Sequence, residues 1–105
     1  MGSGVAVVDV PSESRYEILV DGQTAGFAEY LMVGDLHLDF IHTEIDDAFA
    51  GQGLAGALVK AALGDVRERG LRIIPHCPFV RGYLRKHPED FNDITDWPAD
   101  VPEDA

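Results

Sequence analysis

A glycine-rich hexapeptide, residues 51–56, is the part of the sequence whose residue types point most clearly to a ligand. Its members are Gly51, Gln52, Gly53, Leu54, Ala55 and Gly56. Glycines let backbone amides come close to a ligand, and the unpaired amides and the dipole of a helix start favour an anion, so the turn suits a pyrophosphate. It is not a P-loop, because no Gly-Lys-Ser/Thr follows, and antiparallel strands are predicted where a dinucleotide-binding fold would open with β-α-β. The alternative interpretation is a tight turn that only begins a helix.

Cys77 is the side chain with the most reactive chemistry. It stands between His76 and Pro78, and proline suits the first turn of a helix, so Cys77 is predicted near a helix N-cap. A thiol at a helix N-terminus and beside a histidine is in a setting that favours the thiolate. Such a group can serve as an acid, a base or an acyl carrier. The alternative is a buried, inert cysteine at a strand end.

His42 and Glu44 form a second pair of candidates for proton transfer. They are two residues apart in a predicted strand, so their side chains point to the same side. The alternatives are a structural histidine and a solvated carboxylate, or a carboxylate that faces the N-terminus of the following helix. The other histidines have no metal-ligand spacing, so no metal site is predicted.

The elements that must position these residues can be predicted from hydrophobic periodicity. A short apolar run at residues 5–8 can open the sheet, and three strands follow at residues 15–20, 24–32 and 36–45. Helix-period apolar residues then run from Leu54 to Val66, with Gly70 as the stop; a strand at residues 71–74 and a helix between Pro78 and Pro88 complete the pattern. The order β-β-β-α-β-α contains a crossover that makes the last two strands parallel. The fold class is therefore α/β (α+β in some schemes) with a mixed sheet.

Length and charge limit the function classes. The 105 residues suffice for one domain, predicted at residues 1–88, while residues 89–105 hold seven acidic residues and no Lys or Arg, which predicts a disordered tail. A net charge of −11 argues against a nucleic-acid partner, although it can attract a cationic substrate. The sequence has one cysteine and shows no secretory signal, and no apolar run approaches the roughly 20 residues of a membrane span. These features predict a cytoplasmic protein with no membrane partner.

Four blocks of the sequence together resemble one protein family. They are residues 42–45, residues 49–56, residues 75–80 and residues 83–88, with the sequences HTEI, FAGQGLAG, PHCPFV and YLRKHP. The combination resembles the small, single-domain YidJ-type branch of the GNAT superfamily of N-acetyltransferases, over about residues 15–88. The superfamily pattern Gln/Arg-x-x-Gly-x-Gly/Ala is met by Gly53 and Ala55, whereas Ala50 stands where Arg or Gln is usual.

The resemblance implies an acetyl-coenzyme A site. It implies that residues 51–56 hold the pyrophosphate and that the strand before them pairs with the pantetheine arm through His42, Thr43, Glu44 and Ile45. It implies Tyr83 as the general acid near the coenzyme sulfur, with aromatic packing as the alternative, and it supports a role for Cys77, which we expect to be partly exposed and close to that sulfur. His42 and Glu44 are then the candidates that deprotonate the incoming ammonium.

The expected function is transfer of acetyl from acetyl-coenzyme A to a primary amine, in a ternary complex or through an acetylated Cys77. The acceptor is left open, with a cationic amine or an amine carried by a protein as options. The alternative function is a non-catalytic acyl-coenzyme A binding or protein-interaction module, because so short a chain has little left to build an acceptor pocket.

Overall fold

The structure is a computed structural model that describes residues 4–101. Before the first helix, the chain forms four strands: β1 (Val5–Val10), β2 (Arg15–Val20), β3 (Gln23–Val33) and β4 (His37–Ile45). The rest of the chain forms helix α1 (Leu54–Glu68), strand β5 (Arg72–Pro75), helix α2 (Pro78–Lys86) and the short helix α3 (Pro88–Phe91). Short 3-10 turns occupy Pro11–Glu13, Asp47–Phe49 and Asn92–Ile94.

The five strands form one mixed sheet in the order β1-β2-β3-β4-β5. Neighbouring strands are antiparallel up to β4, and β4 and β5 are parallel across the α1 crossover. The predicted α/β class and mixed sheet are therefore confirmed. The apolar run at residues 5–8 is a full strand, so four strands rather than three precede α1.

One face of the sheet carries the hydrophobic core. Alternate residues of β2, β3 and β4 are buried there, and α1 covers them with an apolar stripe of Leu54, Leu58, Val59, Ala62, Leu63 and Val66. The buried residues of α2 and α3 belong to the same core cluster. All three helices therefore bury their apolar residues in the core on one side of the sheet, and alternate residues of β2–β4 on the opposite side remain at least partly exposed. We call that opposite side the open face.

A bulge in β4 decides which side chains reach each face. Glu29 pairs with His42 and Tyr30 pairs with Phe40, which leaves Ile41 without a partner on β3. An extra residue reverses the alternation that follows it. Phe40 is buried in the core, His42 is exposed on the open face, and Thr43 turns back towards the helices.

The strands β4 and β5 separate just beyond this bulge. Their pairing runs only from His37 opposite Arg72 to Phe40 opposite Pro75, and one more backbone bond, 2.7 Å from the Cys77 amide to the Phe40 carbonyl, closes it. The last five residues of β4 have no partner on β5. A strand edge is thus left without a strand partner on that side, at the carboxyl end of the parallel pair.

The segment after α2 differs from the predicted disordered tail. Phe91 is buried, the Asp96 amide donates to the Ile73 carbonyl at 2.8 Å, and the Asp96 carboxylate accepts two bonds from Arg72, at 2.6 and 3.0 Å. The Arg72 hydrogen bonds, helped by His37, hold the pKa of Asp96 at about 2. The chain packs here because its few apolar residues reach the core and its acidic residues meet arginines of α1 and β5. Residues 102–105 of the predicted tail lie outside the described residues.

Candidate functional site

The glycine-rich turn has the backbone geometry that the sequence predicts for it. Gly51 and Gly53 adopt φ of +80° and +71°, a region that strongly favours glycine. Gly53 is the N-cap of α1 and makes no side-chain cap, and the first amides of a helix have no acceptor within it. A Cβ built on Gly53 or Gly56 would meet no atom within 4 Å, and residues 51–53 are exposed, so the space beside this turn is open. The turn therefore presents unpaired donors to an accessible space.

A groove of about 380 Å³ adjoins this turn and lies between α1 and α2. It is lined by Gly56, Pro78, Phe79, Gly82, Tyr83, Lys86 and His87. Small residues on both helices keep it open, Phe79 exposes 42% of its surface, and Lys86 supplies a cation. Phe79, Gly82 and Lys86 were not among the site residues predicted from the sequence. The sequence could have indicated them, because residues 79, 82, 83 and 86 are spaced three or four apart and therefore share one face of a helix.

Tyr83 lines this groove and packs there against two other rings. Its ring centroid lies 4.4 Å from that of His87 and 6.4 Å from that of Phe91. Burial, and then the charge of Asp90, raise the pKa of Tyr83 above its ordinary value near 10. The phenol is therefore protonated at neutral pH, so it can donate this proton without first being protonated by another group. Both interpretations of Tyr83, as an acid and as a packing residue, fit this placement.

Cys77 lies at the N-cap of α2, as predicted, but its thiol is not accessible. Only 2% of the residue is exposed, and its Sγ lies 3.3 Å from Thr43 Oγ1 on β4. The prediction of partial exposure is wrong, because the side chain turns under α2 into the core cluster. His76 does not adjoin the thiol on the same side; its Nδ1 lies 2.8 Å from the Asp39 carboxylate, and that hydrogen bond raises the pKa of His76.

His42 and Glu44 lie together, as their spacing predicts, with His42 Nε2 3.1 Å from Glu44 Oε1. Both are exposed on the open face, and the His42 ring lies 6.0 Å from the Phe27 ring. Thr43 points the other way, to Cys77, and Ile45 packs against the core. The structure thus forms two polar pairs, His42–Glu44 and Thr43–Cys77, on opposite faces of β4.

The end of β4 leads from these residues to the glycine-rich turn. A second cavity, of about 320 Å³, is lined by Glu44, Ile45, Asp46 and Asp47. Asp46 Oδ1 accepts a 2.9 Å hydrogen bond from the Ala48 amide, which begins the 3-10 turn before Gly51. The free edge of β4, this cavity and the turn therefore follow one another along the chain.

Metal-binding clusters and membrane-spanning helices are both absent from residues 4–101. No group of three or more His, Cys, Asp or Glu side chains there is arranged to hold a metal ion. In the same part of the chain, no helix has the length and apolar character that crossing a membrane requires.

Comparison with known proteins gives the family context of this site. Residues 15–94 match the sequence model of the GCN5-related N-acetyl-transferase family. Protein NATD1 of Xenopus tropicalis is 39% identical over 59 residues, which cover 56% of this chain and 54% of that protein; for the Homo sapiens protein the values are 39%, 56% and 52%. The chain therefore spans about half the length of these curated relatives.

Two solved structures share the fold. A GCN5-like protein of Staphylococcus aureus superposes with a TM-score of 0.65 at 24% identity, and 89% of each chain is covered. A ribosomal-protein-alanine N-acetyltransferase of Brucella melitensis superposes with a TM-score of 0.59 at 14% identity, with 97% of this chain and 99% of that chain covered. At these identities the similarity concerns the fold alone. The narrower resemblance to the YidJ-type branch stays a prediction, but the family match extends over most of the chain, and the chain therefore belongs to the GCN5-related N-acetyltransferase family.

Proposed function

We propose that this protein transfers an acetyl group from acetyl-coenzyme A to a primary amine. The observation that carries the proposal is the open, glycine-lined start of α1 next to the groove between α1 and α2. Unpaired helix-start amides and the helix dipole suit the pyrophosphate, and Lys86 in the same groove suits another phosphate of the coenzyme. Ala50, where the family pattern has Arg or Gln, removes one polar contact but leaves the backbone donors in place.

The free edge of β4 is the proposed track for the pantetheine arm. Pantetheine contains amides, and an extended chain of amides can pair with a strand edge as an added strand would. The residues of β4 that follow Phe40 lack a partner on β5, and the sheet opens there. An arm on this edge starts near the glycine-rich turn and brings the thioester to the opening between β4 and β5, beside Thr43 and Cys77.

Acetyl-coenzyme A supplies a thioester whose carbonyl carbon is attacked by a neutral amine; the C–N bond forms, the C–S bond breaks, and the departing thiolate takes up a proton. His42, paired with Glu44, is the proposed acceptor of the ammonium proton, because both side chains are exposed on the open face. Tyr83, whose phenol is protonated at neutral pH, is the proposed donor to the thiolate.

The burial of Cys77 favours direct attack over an acetyl-cysteine route. A thiol that is 2% exposed and 3.3 Å from Thr43 is poorly placed to receive an acetyl group and to pass it to an amine. We assign the Thr43–Cys77 pair a positioning role, in which it fixes the separation of β4 and α2 at the opening.

The second candidate function is a non-catalytic acyl-coenzyme A binding or protein-interaction module. The open face favours it, because no helix of the described chain covers the side where an acceptor would be enclosed. Such a module would bind the coenzyme through the same turn and groove but would turn over no amine.

A thiol-release assay separates the two functions. The protein is mixed with acetyl-coenzyme A and a panel of primary amines, and free coenzyme A is followed with a thiol reagent. We expect amine-dependent thiol release that is lost in Gly53→Glu, which places bulk and negative charge against the pyrophosphate. Coenzyme binding without amine-dependent release from any amine would favour the binding module. Release that persists in Gly53→Glu would contradict the proposed coenzyme site.

A further inference from the structure

The open face carries a cavity of its own. It has a volume of about 210 Å³ and lies over β2, β3 and β4. Its walls are Arg15, Thr24, Ala25, Gly26, Phe27, Glu44 and Asp46.

The floor of this cavity holds a cation already. The Arg15 guanidinium carbon lies 4.6 Å from the centroid of the Phe27 ring, a distance at which the ring quadrupole attracts positive charge. Arg15 is bound in turn by Glu17, whose Oε2 lies 2.8 Å from the guanidinium. The Phe27 ring therefore already attracts one cation, and the part of it that stays exposed lines the cavity.

Carboxylates form the other wall, and they leave the cavity negative. Glu17 already balances the charge of Arg15, so the negative charges of Glu44 and Asp46 have no positive charge of the cavity lining left to balance them. The ion-pair partner of Glu44 is His42, and one carboxylate oxygen of Asp46 accepts a hydrogen bond from the Ala48 amide. An aromatic floor opposite two carboxylates matches an alkyl ammonium group, whose methylenes pack on the ring while its charge faces the oxygens.

We propose that this cavity binds the acceptor, as an ammonium group on an unbranched alkyl chain that has no carboxylate close to it. The inference rests on the proposed function and names the substrate class for it. A carboxylate on the acceptor would face Glu44 and Asp46, and the one arginine that could balance it is held by Glu17. Lysine side chains of a protein and free linear diamines share the required chemistry.

The position of Glu44 links this cavity to the reaction. Glu44 and Asp46 line both this cavity and the one at the end of β4, so the two spaces meet at these carboxylates. His42 lies 3.1 Å from Glu44, within reach of the proton that the ammonium must lose. The acceptor is thus brought in along the open face, while the coenzyme is bound from the helix side.

Three probes of equal chain length test whether the cavity disfavours a carboxylate on the acceptor: pentylamine, 1,5-diaminopentane and 5-aminopentanoate. We expect the two cationic amines to shift the backbone amide signals of Gly26 and Phe27, and 5-aminopentanoate to bind at least tenfold more weakly. A lysine-containing peptide blocked at both termini, assayed beside 1,5-diaminopentane, shows whether the acceptor is protein-borne or free. Equal binding of 5-aminopentanoate and pentylamine, or shifts that lie away from this cavity, would overturn the proposal.

Variants on the open face separate this cavity from the coenzyme site. Asp46→Asn keeps an oxygen for the Ala48 amide and removes the charge, and Phe27→Leu removes the aromatic floor. We expect each to raise the amine KM at least fivefold while the Kd of coenzyme A, measured by calorimetry, is unchanged. Asp35→Asn is the control, because Asp35 is an exposed carboxylate in the turn between β3 and β4 and does not line the cavity, and we expect this change to leave the amine KM unchanged. If the protein fails to bind coenzyme A, the proposed function fails, but the amide shifts caused by the amines still test the cavity as an amine-binding site. If the amine KM is unchanged in both cavity variants, only the proposal that this cavity binds the acceptor is refuted.

Discussion

Gly56 and Gly64 allow a test in which stability and coenzyme binding move in opposite directions. Both lie in α1, and a Cβ on either residue would meet no atom within 4 Å. Replacing a helical glycine by alanine without strain stabilises a protein by about 0.4–1 kcal/mol, chiefly because the unfolded chain loses freedom. For a domain of this size that corresponds to a rise in Tm of roughly 2–8 °C. We therefore expect both Gly56→Ala and Gly64→Ala to melt higher than the parent protein.

Only Gly56 lines the groove between α1 and α2, so only Gly56→Ala should weaken coenzyme binding. A methyl group that holds a phosphate away from the helix-start amides removes a hydrogen bond to a charged group. Such a bond contributes about 1.5–3 kcal/mol, which is roughly a tenfold to hundredfold change in Kd. Calorimetric titration with coenzyme A measures the Kd, and thermal denaturation followed by circular dichroism measures the Tm. Equal Kd values for the two variants would refute the proposed binding geometry, and so would a loss of affinity in Gly64→Ala.

Three further predictions concern the stability and accessibility of the fold. Alkylation of Cys77 by iodoacetamide should be far slower in the native protein than in denaturant, because the residue is 2% exposed; similar rates would contradict its burial. Phe91→Ala should cost about 3 kcal/mol and lower the Tm by more than roughly 10 °C, since Phe91 is buried in the core; a Tm within a few degrees of the parent would restore the disordered-tail prediction. The Asp39 contact raises the pKa of His76, so the stability that His76 adds is complete below its unfolded pKa of about 6.5 and is lost as pH rises through the higher folded value. The difference in the free energy of urea unfolding between the parent and His76→Asn should therefore shrink as the pH rises above about 6.5, and a constant difference would refute this prediction.

Local signals predicted the framework of the site well. The start of α1 follows from Gly51 and Gly53, because a positive φ strongly favours glycine and the apolar period of a helix begins directly afterwards. The N-terminus of α2 follows from Pro78, and the parallel pairing of β4 with β5 follows from the crossover. Each of these features depends on residues that are close together in sequence.

The face on which each candidate residue lies could not be predicted, because it depends on pairing between distant residues. The spacing of His42 and Glu44 places them on one side of a strand, but the bulge at Ile41, which only the register with β3 defines, decides which side that is. The burial of Cys77 depends in the same way on how α2 packs. The acidic composition of the last residues suggested a disordered tail. That prediction failed because a count of charges does not show that Asp96 forms an ion pair with Arg72.

Amide NMR of the protein titrated with acetyl-coenzyme A tests the central claim most directly. We predict the largest shift changes at residues 51–56, along the second half of β4, and on the groove side of α2 around Phe79 and Gly82. The signals of β1, on the far edge of the sheet, should stay in place. Shifts confined to residues outside the turn and the groove, or no shifts at millimolar ligand, would contradict it.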